Sequence, residues 1–219
     1  MAKPKLRFPQ FSEDWEQRKL GQMGSLKNGM NFSKDSLGKG FPFVNLQDIF
    51  GRSEIDAKQL GRALASLKQL QEYNLLAGDV LFVRSSVKLE GVGEAAVVPE
   101  DLKDTTFSGF IIRFRDESGI SKKFKQFMFA IDPVRRQILS QATNSANKNI
   151  NQSILSKLVV RLPCHEEQEK IGDLFRHIDT AITLHQRNQN AHQLWLEKFK
   201  LRKKGNALPG LDLGFQVLE

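Results

Sequence analysis

A chain of 219 residues is long enough for one sizeable core, or for one domain plus an extended element, and 40% apolar with 26% charged residues excludes a disordered tail. The single cysteine, Cys164, excludes an internal disulfide framework; with no apolar leader core at the N-terminus and no stretch of membrane-spanning length, a soluble cytoplasmic protein is expected. The net charge of +8 lies wholly in residues 1–162, which hold 25 Lys+Arg against 17 Asp+Glu, and no carboxylate falls between Asp132 and Glu166. Such a face attracts polyanions, although basicity alone also fits a surface with no partner.

In chain order, FSEDWEQRKLGQMGSLKNG predicts a short helix capped by Ser12 and ended by Gly21 and Gly24. Strands are predicted at Phe41–Ile49, at Val80–Arg84 behind a Gly78-Asp79 turn, at Val92–Val98 before Pro99, and at Phe107–Phe114. Lys122–Ser140 predicts one helix, because Phe124, Phe127, Met128 and Ile131 have helical spacing and Ile138 and Leu139 continue the face despite Pro133. These elements imply an α+β domain with a twisted, mostly antiparallel sheet.

From Glu166 to Lys204 only Gly172 interrupts, so a single long helix of roughly 60 Å is expected. With Ile171 at heptad position a, the a/d series runs Ile171, Leu174, Ile178, Ala181, His185, Asn188, His192, Trp195 and Phe199. Apolar ends around a polar centre form a coiled-coil pattern in which the centre sets register and partner. The competing reading, a helix folded back on its own domain, is opposed by the helix length. The expected division is a globular domain at 1–162, a long dimerisation helix at 163–204 and an atypical tail at 205–219.

Catalytic parts are scarce. Gly38-Lys39-Gly40 and Gly91-Val92-Gly93 belong to no full phosphate-binding fingerprint, and there is neither G-x-x-x-x-G-K-[ST] nor an Asn-Pro-Pro-aromatic tetrapeptide. His185 and His192 share a stripe and could chelate a metal across a helix pair, but packing or solvent-facing histidines are the commoner case and no metal site is expected.

Binding material is richer. Arg84, Ser85, Ser86 and Lys88 follow a strong strand, and Ser108 sits where another begins. Asn144, Ser145, Asn147, Lys148 and Asn149 form an amide-rich loop ahead of the long helix. Amides pair with adenine, Arg and Lys with guanine, and hydroxyls or lysines with phosphates. Turns and helix caps are the alternative use of such residues, and for Asn151 and Ser153, where a helix is expected to begin, that alternative stands beside binding.

In order, FPQFSEDWEQRKLG (8–21), AGDVLFVRSS (77–86), GEAAVVP (93–99), FSGFIIRF (107–114), NINQSILSKLVVRLP (149–163) and EEQEKIGDLFRHID (166–179) resemble a type I restriction–modification specificity subunit. The resemblance covers residues 6–204 and comprises one target recognition domain followed by one conserved helical region. A full-length member has two of each with antiparallel helices, so the resemblance implies a half-subunit. Two copies would pair through their long helices with two-fold symmetry and read a bipartite, palindromic target. It also implies a non-catalytic reader of double-stranded DNA with no cofactor of its own. S-adenosylmethionine would belong to modification subunits, and ATP with Mg to a restriction subunit. Two other readings compete: a coiled-coil assembly or regulatory module that reads no DNA, and a free-standing methyltransferase or nuclease, which the missing motifs disfavour. The tail departs from the family pattern, since Gly205, Pro209, Gly210 and Gly214 cannot continue a helix; a truncation or a shifted reading frame is expected there.

Overall fold

The computed structural model describes residues 7–142 and 148–203, with side chains as far as Leu196. Its strands and helices, in order, are β1 (Glu16–Lys19), β2 (Gly24–Asn28), β3 (Leu37–Val44), β4 (Gly61–Ala63), α1 (Leu67–Glu72), β5 (Val80–Val83), β6 (Ser85–Ser86), β7 (Ala95–Val97), β8 (Thr106–Phe107), β9 (Ile111–Asp116), α2 (Lys122–Met128), α3 (Asp132–Gln141), β10 (Lys148–Asn149), α4 (Gln152–Ser156), β11 (Val159–Leu162) and α5 (His165–Lys203). The fold is α+β, as expected. A central antiparallel sheet has the order β2-β9-β5-β7; a second has the order β4-β3-β8, with β8 parallel to β3. Two short antiparallel ribbons, β1–β11 and β6–β10, complete the ladders.

The inner strands β5 and β9 are buried on both faces, which explains why VLFV reads as an unbroken apolar run and IIRF as one broken only by Arg113. Because successive side chains alternate, Val80 and Phe82 of β5 and Ile112 and Phe114 of β9 enter one core, with Phe124, Met128, Phe129, Val134, Ile138, Leu155 and Val160 above them. Leu81, Val83 and Ile111 enter the other, against Val44, Ile49, Leu75 and Phe107. Arg113 points into this second face, 6% exposed, with its guanidinium 5.6 Å from the Phe107 ring centre and Nη1 donating to the Asn74 carbonyl. Next to it, Arg115 grips buried Asp79 through two charge-assisted bonds of 2.8 and 2.7 Å. That bond raises the Arg115 pKa, whereas burial and then the neighbouring Arg115 charge lower that of Arg113.

Several local expectations fail for identifiable reasons. The helix expected from Ser12 is β1, a 3-10 turn at Leu20–Gln22 and β2. The five-residue gap from Trp15 to Leu20 breaks helical period, and β11 offers Glu16–Lys19 a full ladder. The strand at Phe41–Ile49 stops at Val44, where Asn45 Oδ1 accepts from Leu46 N at 2.9 Å and Asp48 Oδ2 from Asn45 N at 2.8 Å. The predicted strand at Phe107–Phe114 is split by a Ser108–Phe110 turn. The helix expected over Lys122–Ser140 divides into α2 and α3, because Pro133 lacks the N–H that a continuous helix needs and instead opens α3.

Up to Phe175 the chain forms one compact unit, and the rest of α5 forms a second. The opening turns of α5 therefore belong to the globular unit, beyond residue 162. Glu167 is fully buried and holds Arg7 bidentately at 2.9 and 2.8 Å. Gln168 Oε1 accepts from Ser121 N at 2.9 Å, and Lys123 bridges Glu169 and Asp173 at 3.0 and 2.8 Å. Gly172 abuts Lys123 and Phe124 of α2 with no room for a Cβ, so the lone glycine in the helix reflects contact. Among the described residues, no helix is long and apolar enough to cross a membrane.

Candidate nucleic-acid interface

Three polar segments distant in sequence meet at one edge of the globular unit. Strand β5 delivers Arg84 to the sheet end, and β6 then pairs with β10, setting Ser86 opposite Lys148 and Ser85 opposite Asn149. Arg84 ties the third segment in: its N–H donates to Phe110 O at 2.8 Å and its Nη1 to Gly109 O at 3.2 Å, while its own carbonyl accepts from Ile150 N at 3.0 Å. Arg84, Ser85, Ser86, Lys148 and Asn149 are half-buried, and Lys88 is exposed. Ser86 Oγ accepts from Lys88 N at 3.2 Å and shapes the loop that carries that lysine. No ion pair engages Arg84, Lys88 or Lys148 among the described residues. Their positive charge is open to a polyanion.

One sequence expectation changes, and one open alternative is decided for the cap. Ser108 is 5% exposed, and its Oγ accepts from Phe110 N at 3.3 Å while its N–H donates to Val44 O at 3.0 Å. It builds the turn and presents nothing outward. Asn151 is a helix cap, with Oδ1 accepting from Ile154 N at 2.9 Å. Asn144, Ser145 and Asn147 lie outside the described residues.

The edge also holds apolar groups that sequence reasoning passed over. Val87 is 78% and Phe110 58% exposed; with Phe50 they border an open depression of about 580 Å³, shared with Leu46, Lys88, Glu90 and Glu94. Phe110 was legible only as part of a strand, and Val87 stood out only as an apolar residue between Ser86 and Lys88. Below the loop, Arg135 of α3 donates to Glu90 O at 2.6 Å. Burial lowers its pKa, against the pull of Glu94.

The second unit is the exposed length of α5. Leu174, at the end of the globular unit, and Ile178, Ala181, His185, Asn188, His192 and Trp195 are exposed, as a face for a partner helix requires. Ile171 is different: it is half-buried and packs against the core of the globular unit. The Phe199 side chain lies outside the described ones. The centre is polar in the structure too, where His185, Asn188, Gln189, His192 and Gln193 line a shallow depression and His185 Nε2 lies 2.9 Å from Gln189 Nε2. His192 stacks on Trp195.

Comparison with known proteins agrees with this layout. Residues 12–192 match the model of the type I restriction modification DNA specificity domain. A putative type I restriction enzyme MjaX specificity subunit of Methanocaldococcus jannaschii is 25% identical over 185 residues, covering 81% of this chain and 42% of that protein. The EcoKI specificity subunit of Escherichia coli is 24% identical over 161 residues, covering 71% and 34%. The chain thus spans less than half the length of these relatives. Among solved structures, the S subunit of a type I restriction–modification system from M. genitalium has a TM-score of 0.56 at 18% identity, covering 93% of this chain and 47% of that one. The HsdS subunit of Thermoanaerobacter tengcongensis has a TM-score of 0.55 at 19% identity, covering 85% and 42%. A chain from a type I R-M complex reaches 0.64 at 17% identity, covering 90% and 46%. These likenesses establish the fold.

Proposed function

We propose that this chain, which belongs to the family of type I restriction modification DNA specificity domains, reads one half of a bipartite site on double-stranded DNA and carries no catalytic step itself. The observation that carries the reading is the pairing of β6 with β10, which brings Arg84 and Lys88 beside Lys148 and Asn149. Cations there supply counterion release, and amides and guanidinium supply base contacts. Modification subunits holding S-adenosylmethionine would methylate adenines at the address the chain selects. A restriction subunit using ATP and Mg would act from the same complex.

The exposed face of α5 is the ruler in this reading. Leu174, Ile178 and Trp195 give it apolar ends, and His185, Asn188 and His192 a polar middle. In an antiparallel pair of two copies each midpoint meets its own mate, so the polar middle fixes register and sets the spacing of two half-sites. Sedimentation at micromolar protein tests the pairing: a monomer rejects it.

Co-expression with a cognate modification subunit, followed by mapping of methylated adenines across the host genome, tests the function. A bipartite motif is expected, palindromic if two copies pair. No new methylation would reject the reader and favour an assembly module. Methylation by the purified chain with S-adenosylmethionine alone would reject the division of labour.

A further inference from the structure

The depression beside β6 combines features that a phosphate-binding groove lacks. Val87 and Phe110 stand out from its rim, 78% and 58% exposed, with Phe50 beside them at 37%. Phe110 is held firmly: its carbonyl accepts from Arg84 N at 2.8 Å, its N–H donates to Ser108 Oγ at 3.3 Å, and the preceding carbonyl receives Arg84 Nη1 at 3.2 Å. Scattered exposed apolar residues are ordinary, but here several surround one opening and one is fastened from both sides.

Charge narrows the occupant. Glu90 and Glu94 line the same depression, and like charge repels a phosphate. Lys88 on its rim, with Arg84 and Lys148 on the adjoining ribbon, attracts the polyanion as a whole. The part of the polyanion that enters must therefore be uncharged and partly apolar. On double-stranded DNA the group meeting both conditions in the major groove is the C5-methyl of thymine.

We infer that Phe110 and Val87 form an apolar reading element that selects thymine through its methyl group, next to the polar contacts of Arg84, Lys88 and Lys148. This deepens the DNA-reading function and rests on it.

The test uses the full chain in complex with its modification subunit and a randomised duplex library. Bound duplexes are sequenced for the wild type, Phe110→Ala and Val87→Ala, and the preferred duplex is rebuilt with uracil replacing thymine one position at a time. At one thymine the wild type should lose roughly fourfold in affinity on uracil substitution, the worth of one buried methyl group. Phe110→Ala should bind the thymine and uracil duplexes alike there and keep every other preference. Its exposure leaves the thermal midpoint unchanged, and Phe110→Leu should restore discrimination. A preferred motif without thymine, or full thymine–uracil discrimination in both alanine variants, overturns the inference. Loss of modification-subunit capture with unchanged sequence preference also overturns it, and assigns the depression to that protein partner. A wild-type complex that selects no sequence rejects the DNA-reading function itself and the inference with it.

Discussion

Replacing Gly172 by alanine tests whether the long helix is welded to the globular unit by its opening turns. A methyl group there would stand 2.4 Å from Lys123 Cβ, 2.7 Å from the Lys123 carbonyl carbon and 2.9 Å from Phe124 N. Carbon atoms rest at about 3.5–4.0 Å, so α2 must retreat by about 1 Å. Backbone atoms are among those struck, and no side-chain rotation relieves them. The retreat loosens the Gln168–Ser121 bond, the Ser121–Glu169 contact and both Lys123 bridges. Overpacking costs about 1–3 kcal/mol, and the upper half of that range applies here. Alanine is favoured over glycine inside a helix by about 1 kcal/mol, leaving a net loss of about 1–2 kcal/mol. In a chain of this size that lowers the thermal midpoint by about 2–8 °C. Circular dichroism melts of the two proteins, side by side, measure it. A midpoint equal to or above wild type would mean that helix propensity dominates and that the α2–α5 contact is loose.

Ser108→Ala should cost about 1 kcal/mol of stability in urea unfolding, for the turn bond it makes, and leave sequence preference intact; a relaxed preference at one base would return Ser108 to the interface. Lys148→Ala should weaken binding to all duplexes alike and reduce the salt slope by about 0.9, whereas a change confined to one base position would make it a base reader. Glu169 has its pKa held below the ordinary carboxylate value by the Ser121 hydroxyl and then by Lys123. Folding therefore gains from its ionisation above the unfolded value of about 4.3, and that gain fades as pH falls through the lower folded value. Glu169→Gln should accordingly melt below wild type at neutral pH, with the gap closing in acid; a gap independent of pH would exclude the charge as its source.

The parts of the fold legible in the sequence were those whose local pattern and tertiary setting agree. Val80–Val83 and Ile111–Phe114 read as strands because both sheet faces are buried there and, Arg113 apart, take apolar side chains. The long helix from His165 was legible because nothing but Gly172 opposed it. The segment Glu16–Lys19 was misread because its structure comes from a partner strand more than a hundred residues away, which local propensity does not register. The site divides in the same way. Arg84–Lys88 and Lys148–Asn149 announced themselves as polar loops, but their meeting depends on the β6–β10 ladder, a long-range pairing. Ser108 was chosen for its hydroxyl, and that hydroxyl is used inside a turn. Phe110 was passed over because an aromatic residue in an apolar run looks like core until the turn turns it outward.

The charge excess of the first 162 residues also changes meaning once the structure is known. Several cations of that stretch are engaged internally: Arg115 on Asp79, Lys125 on Asp116, Arg7 on Glu167, Lys123 on Glu169 and Asp173, and Lys27 on Glu72. Arg113 is buried against Phe107, and Arg135 braces the Glu90 loop. Losing a buried one, such as Lys125 or Arg113, would first affect folding, because a buried cation has little surface left for a phosphate. Binding charge therefore resides among the cations that no carboxylate holds, and of these Arg84, Lys88 and Lys148 gather at one edge. Electrostatic attraction is a property of position as much as of number. A Lys125 variant that weakens DNA binding should do so in proportion to lost folded protein, whereas a Lys148 variant should do so with the fold untouched.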